Sequence, residues 1–279
     1  MIKMIKIIGI GDYGMNTVNY MYNSGIHEVD YAVCDNSSTE FEKLLSDGTK
    51  MVFIVSAIDG SAASSAAPLL AKTAKSRDIL TVGFITTPLL PGEVVQTIDA
   101  IEEMRENTDS LIVINNAQLE TFYPDCDMDV NNQRVHDILA MTVKSIFEII
   151  TMKGIIHRDF NDIVTTMKDS GMAFVGVGYG SGENRLENAI REALDSPLML
   201  CRDIFNAKRL LFYLSFQKNR NIKVAELEQA MDNLLSRFDT NILFTWGFSN
   251  NGIPAVASHD VKFSIIATGF GLSYIKNTN

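Results

Sequence analysis

Hydrophobic positions along the chain cluster into short runs separated by stretches with helical spacing. "KMIKIIGI", "VDYAVCD", "KMVFIVSA", "ILTVGFITT" and "SLIVIN" each read as a strand. A helical pattern through Val18, Met21 and Tyr22 follows the first, and helices over Pro68–Lys75 and Glu93–Arg105 fill later gaps. Apolar strands joined by helical crossovers predict a parallel sheet covered on both faces. A longer pattern spans Gln133 to Met152, where Val135, Ile138, Leu139, Val143, Ile146, Phe147 and Ile150 repeat at helix spacing. A helix apolar over so much of its circumference is buried on several sides. Its length, about 30 Å at 1.5 Å per residue, suffices to cross one domain and join a second.

Past Asp159 the rhythm changes. "MAFVGVGYG", "RLLFYLSF", "NILFTWGF" and "VKFSIIATGF" read as strands, with helices at "GENRLENAIREAL" and "VAELEQAMDNLLSRF". The expectation is a parallel-sheet domain over 1–132, a central helix and interdomain loop over 133–158, and a smaller α/β domain over 159–279.

Charge narrows the partners. A net charge of -10 argues against nucleic acid, whose binding rests on neutralising phosphates, and against an acidic membrane surface. Cys34, Cys126 and Cys201 are far apart and form no CxxC pair, which suggests neither a disulfide framework nor a zinc cluster but a reducing cytoplasm. Lys6 and the glycines interrupt any signal-peptide core. The longest uncharged stretch, Thr240 to Ser258, contains "SNNGIP" and is too polar to span a bilayer. A soluble cytoplasmic protein is expected.

Two loops carry candidate chemistry. In "IVSAIDGSAASSAAPLLAKTAK" a strand meets small residues and then a helical pattern near Pro68, a layout suited to an anion at a helix N-terminus. In "IIGIGDYGMNTVNYM", Gly9-x-Gly11-x-x-Gly14 follows a strand, and Asp35 ends the next one. That spacing fits a dinucleotide fingerprint; it also fits a tight strand-to-helix turn that needs glycine for backbone reasons.

A resemblance covers more of the chain. "GIGDYGMNTVNYM" is similar to the first nucleotide loop of the FtsZ family of bacterial tubulin homologues, with Gly9, Gly11, Gly14, Asn16 and Asn19 matching. Asp59-Gly60-Ser61-Ala62-Ala63-Ser64-Ser65, then Ala66-Ala67-Pro68, aligns with the family's GGGTGTG signature and its following AAP. "ILTVGFITTP", "DSLIVINN", "HDILAMTVKSIFEIITMKGII", "RDFNDIVTTMKDSGMAFVGVGYGSGENR", "SPLM" and "IIATGF" continue the likeness in order to the end. The resemblance implies a tubulin/FtsZ-like α/β fold with a parallel-sheet nucleotide-binding domain, a long central helix and a smaller C-terminal α/β domain. It also implies GTP or GDP with magnesium, held in one subunit and hydrolysed when the next one docks.

On that resemblance Asp159 and Asp162 match the catalytic acids of the docking loop, with His157 at the position of its asparagine. The same two acids, three residues apart at a helix start, are also a plain capping arrangement. The nucleotide contacts implied are Gly11, Gly14, Asn16, Gly60, Ser61, Ser64, Ser65 and Asp137, the last aligned with the acid that reads guanine. Most signature glycines are replaced, and Asp12 and Asp59 bring negative charge to two phosphate-facing loops. At roughly 5 Å and an effective dielectric near 20, each acid–phosphate pair costs about 3 kcal/mol. Asp59 also suits an N-cap on the following helix.

The expectation is therefore a degenerate GTP pocket on a subunit that associates with copies of itself or with FtsZ-like partners. The alternatives are a divergent, self-polymerising GTPase and, more remotely, an NAD-binding oxidoreductase using Gly9, Gly11, Gly14 and Asp35. "DCDMDV" has calcium-loop spacing, but Val130 and His136 stand where glycine and glutamate are required. His27, His136, His157 and His259 show no metal-ligand spacing, so no metal site is expected in the protein itself. "GLSYIKNTN" resembles neither a flexible linker nor a tail for membrane-tethering partners, and no direct membrane anchor is expected.

Overall fold

The structure is a computed structural model, and it describes residues 4–34, 38–58, 62–87, 94–115, 128–151, 156, 159–195, 204–217, 222–250 and 259–270. Strands and helices alternate through the first half: β1 (Ile5–Ile10), α1 (Gly11–Asn23), β2 (Asp30–Cys34), α2 (Ser38–Leu44), β3 (Met51–Ala57), α3 (Ala62–Ser76), β4 (Leu80–Thr87), α4 (Val94–Asn107) and β5 (Ser110–Asn115). The long helix α5 (Met128–Thr151) and the short α6 (Phe160–Met167) follow. The second half consists of β6 (Gly171–Gly180), α7 (Arg185–Leu194), β7 (Arg209–Phe216), α8 (Val224–Leu235), β8 (Leu243–Ser249) and β9 (Val261–Phe270).

The strands make one sheet in the order β2-β1-β3-β4-β5-β6-β9-β7-β8. From β2 to β6 every pairing is parallel, as expected for apolar strands linked by helical crossovers. β9 then runs antiparallel between β6 and β7, and β8 pairs parallel to β7 at the edge. The two halves are joined edge to edge rather than forming separate sheets. That joint is narrow: β5 and β6 pair only through Ser110 with Gly171 and Leu111 with Met172.

Two helices start earlier than the hydrophobic pattern predicts. α3 begins at Ala62, six residues before Pro68: the alanines of the intervening run favour helix, against the backbone bond that the interior Pro68 forfeits and the crowding of its ring on the preceding turn. α5 begins at Met128, ahead of Gln133, where polar residues offer no apolar period to detect. Val135, Leu139, Val143, Ile146 and Ile149 of α5 are buried, with Ile138, Phe147 and Ile150 half-buried beside them.

One ion pair lies inside this packing. Lys262 on β9 donates to Glu148 on α5, with side chains only 4% and 11% exposed. Burial pulls the Lys262 ammonium below its ordinary range, and the Glu148 charge opposes that pull. The other Glu148 oxygen, Oε1, and Ser145 Oγ are buried and have no hydrogen-bond partner among the described residues. A charge left alone there would be expensive, whereas removing both charges together is tolerated far better. Lys262→Met is therefore expected to cost about 3–5 kcal/mol. Adding Glu148→Leu to it should recover most of that loss, as read by urea denaturation of both variants.

Candidate functional site

β1 lies where the strand order reverses, with β2 on one side and β3 on the other, the position at which open parallel sheets form a crevice beyond their C-terminal strand ends. α1 leaves β1 without an intervening loop. Gly11, its first residue, has φ 68°, a left-handed conformation that favours glycine. A Cβ on Gly9 would sit 2.3 Å from the Gly14 carbonyl oxygen, and one on Gly14 would sit 2.5 Å from the Val55 carbonyl oxygen. The three glycines thus have backbone roles: they let α1 lie directly against β1 and β3.

Asp12 and Asn16 are exposed on α1, and the N-cap Ile10 supplies no side-chain bond to the first-turn amides. Ser65 is exposed in the first turn of α3; Asp35, Asp59, Gly60, Ser61 and the Ser64 side chain lie outside the described residues. Among the described residues no group of three or more histidine, cysteine, aspartate or glutamate side chains is placed to hold a metal.

Three α1 residues with no part in the expected site pack against α5. Tyr13, Thr17 and Tyr20 recur at helical spacing on α1 and meet His136 and Asp137 on α5. The His136 ring centroid lies 5.5 Å from that of Tyr13 and 5.6 Å from that of Tyr20. Thr17 Oγ1 and His136 Nδ1 are 3.1 Å apart, and the Tyr20 hydroxyl donates to Asp137 Oδ1. That hydrogen bond raises the Tyr20 pKa above its ordinary value. Burial pushes Tyr13 up to about 12, against the opposing effect of the Thr86 hydroxyl at the end of β4 and of Thr17. Burial also holds His136 below its ordinary value, against the nearby Asp137 charge. Asp137 was already among the expected contacts; for Tyr13, Thr17 and Tyr20 the sequence signal was the 13/17/20 spacing, which an ordinary packed helix shares.

The predicted acids lie elsewhere. Ile156 pairs with Phe248 at the β8 edge through reciprocal 3.3 Å backbone bonds, anchoring the chain just before α6. Asp159 is the N-cap of α6: its Oδ1 accepts the amides of Asn161 at 2.8 Å and Asp162 at 3.2 Å. Asp162 Oδ2 accepts the Asp159 amide at 2.9 Å, completing a capping box. Asn161 shares a cavity of about 340 Å³ with Met4 and Leu80, at the start of β1 and β4. The acids are therefore at the opposite end of the sheet from Thr86 and Tyr13, about 20 Å away along β4 at 3.3 Å per residue. Within one subunit, Gly11, Gly14 and Asp137 cannot meet Asp159 and Asp162.

Two measurements follow from this geometry. Asp159→Ala should destabilise the fold by about 1 kcal/mol through the lost cap, and Asp159→Asn by less, read by chemical denaturation. A histidine with a lowered folded-state pKa binds protons more readily when unfolded, so His136 favours folding above its unfolded value of 6.5 and loses that contribution as pH falls. The urea midpoint should fall between pH 7.5 and 5.5, and His136→Phe should make the fall shallower.

Among the described residues no helix is long and apolar enough to cross a membrane. The description "Tubulin/FtsZ family, GTPase domain" matches residues 22–124, and "FtsZ family, C-terminal domain" matches residues 171–271. The cell division protein FtsZ of Porphyromonas gingivalis is 32% identical over 96% of this chain and 67% of its own length. Cell division protein FtsZ 1 of Thermococcus kodakarensis is 28% identical over 97% of this chain and 82% of its own. An empty FtsZ dimer from M. jannaschii superposes with a TM-score of 0.79 at 23% identity, covering 96% of this chain and 88% of that one. The GDP-form TubZ protofilament of Bacillus thuringiensis serovar israelensis gives a TM-score of 0.76 at 13% identity, covering 98% and 91%. With the sheet order, the glycine-packed β1–α1 turn and these matches in agreement, the chain belongs to the FtsZ family of the tubulin/FtsZ superfamily of cell-division cytoskeletal proteins.

Proposed function

We propose that this FtsZ-family chain works by association with FtsZ-like subunits and that its own side chains have taken over much of its GTP pocket. The observation that carries the reading is the Tyr20 hydroxyl on Asp137. A guanine edge would have to compete with Tyr20 for the carboxylate that, by the family resemblance, reads it. Asp12 in the first turn of α1 adds a charge that opposes phosphates at the same crevice. Magnesium and GTP are what the family implies; Tyr20 on Asp137 and the Asp12 charge weigh against a tightly held nucleotide, and no hydrolytic step is assigned to these residues.

Association rests on the other end of the subunit. Asp159 and Asp162 are held by their capping box on an exposed helix start, where they would face the nucleotide of a neighbouring subunit. In this reading the chain docks its α6 end on a GTP-loaded subunit and offers the next one a site without nucleotide. The division at 132 and 158 separates the nucleotide-type part from the part that docks. A second reading, a working self-polymerising GTPase, draws on the same geometry, since two copies stacked end to end would bring both residue groups to one junction.

Calorimetric titration of GTP with magnesium into nucleotide-free protein separates the two. The proposal expects a Kd weaker than about 100 μM for the unaltered chain, and at least about tenfold tighter binding after Tyr20→Phe releases Asp137. Micromolar binding by the unaltered protein would favour the polymerising GTPase. Unchanged pelleting of a GTP-loaded FtsZ in its presence would count against the docking role.

A further inference from the structure

Two helices that begin at opposite ends of the subunit finish in one charge cluster. α3 and α6 are each followed by an aspartate in the left-handed region, Asp78 at φ 57° and Asp169 at φ 49°. Aspartate and asparagine enter that region more readily than other non-glycine residues. Each aspartate takes the lysine at the end of the other helix. Lys75 Nζ of α3 lies 2.7 Å from Asp169 Oδ1, and Lys168 Nζ, just past α6, lies 2.6 Å from Asp78 Oδ1. The exchange is reciprocal.

Behind it stands Asp109, 2% exposed. Its carboxylate accepts the Thr81 amide at 2.8 Å and the Asp169 amide at 3.3 Å, and Lys75 Nζ approaches it to 3.6 Å. Lys75 also donates to the Thr108 carbonyl at 3.3 Å. Hydrogen bonds from the lysines hold the Asp169 and Asp78 carboxyls below their ordinary range, and Asp78 holds Lys168 above its own. Arg209 closes the α6 end, donating to the Lys168 carbonyl at 2.9 Å.

The other ends of these helices bear the candidate chemistry. α3 starts at Ala62, within the small-residue loop, and α6 starts at the Asp159–Asp162 box. The two helices are about 22 Å and 12 Å long, α3 with Pro68 in its interior. We infer that the reciprocal pairs Lys75–Asp169 and Lys168–Asp78 form a clasp that fixes α6 in register with α3, so that a displacement of α3 at its N-terminal loop is passed to the acid box at the docking end. The clasp provides one physical element that both ends of the subunit can bias. It does not depend on whether the crevice binds a nucleotide.

Hydrogen–deuterium exchange of the full chain, read by mass spectrometry without nucleotide, tests the inference. Asp169→Asn and Asp78→Asn remove charge while keeping a residue suited to the left-handed region. Asp169→Asn should speed exchange in the last turn of α3 about two- to fivefold, and Asp78→Asn should do the same across Phe160–Met167. Lys75→Met should act more strongly on α6, because it also leaves Asp109 buried without its cation. Combining Asp78→Asn with Lys168→Met should add nothing beyond either change alone. In the unaltered chain, 1 M salt should reproduce the Asp78→Asn effect, since that pair is exposed. Effects confined to the helix bearing each substitution, or exchange in both helices that neither salt nor substitution alters, would overturn the clasp.

Discussion

The joint between the two halves rests on one buried carboxylate. β5 and β6 share only two paired positions, and Asp109 stands immediately before the first of them. Its amide donates to the Thr81 carbonyl, and its own carbonyl accepts the amides of Ser170 and Gly171. Its side chain holds the Thr81 and Asp169 amides. Ser110 next to it donates to the Met167 carbonyl at 2.7 Å and lies 2.7 Å from Ser170 Oγ. Hydrogen bonds to a carboxylate are the stronger class, and a buried one left unpaired carries its full desolvation cost. A narrow ladder can thus hold a continuous sheet because polar groups on both sides converge on a single residue.

A parallel sheet has unlike ends, and that polarity organises everything candidate-functional in the molecule. The C-terminal strand ends hold the glycine turn, Tyr13, Thr86 and the α1–α5 cluster. The N-terminal ends hold the acid box on α6 and the charge cluster behind it. No side-chain movement closes a gap the length of a strand. Side chains at the two ends can therefore meet only across a junction between two subunits.

Much of the fold was legible in the residues. Buried strands announced themselves as apolar runs, and "RLLFYLSF" and "VKFSIIATGF" correspond residue for residue to β7 and β9. Helix starts were harder, because an alanine-serine run and a polar first turn carry no periodicity, so α3 and α5 extend further forward than their apolar stripes. The site was legible where it is local. Gly9 and Gly14 pack a strand against the helix that follows it, and Asp159 caps the helix that carries Asp162. Where it depends on distant partners it was silent: nothing near Asp137 in the chain marks Tyr20, 117 positions earlier, as the group that would reach it.

The strand runs, the family likeness, the capping arrangement and the turn glycines could be read without coordinates, because each follows from residues within a few positions of one another or from a pattern sustained along the chain. Packing alone set the single shared sheet, the contact of Tyr20 with Asp137 and the exchange of aspartates between Lys75 and Lys168. Those pairings join residues from separate elements, and hydrogen bonds and ion pairs act over a few ångströms, a proximity that only packing creates.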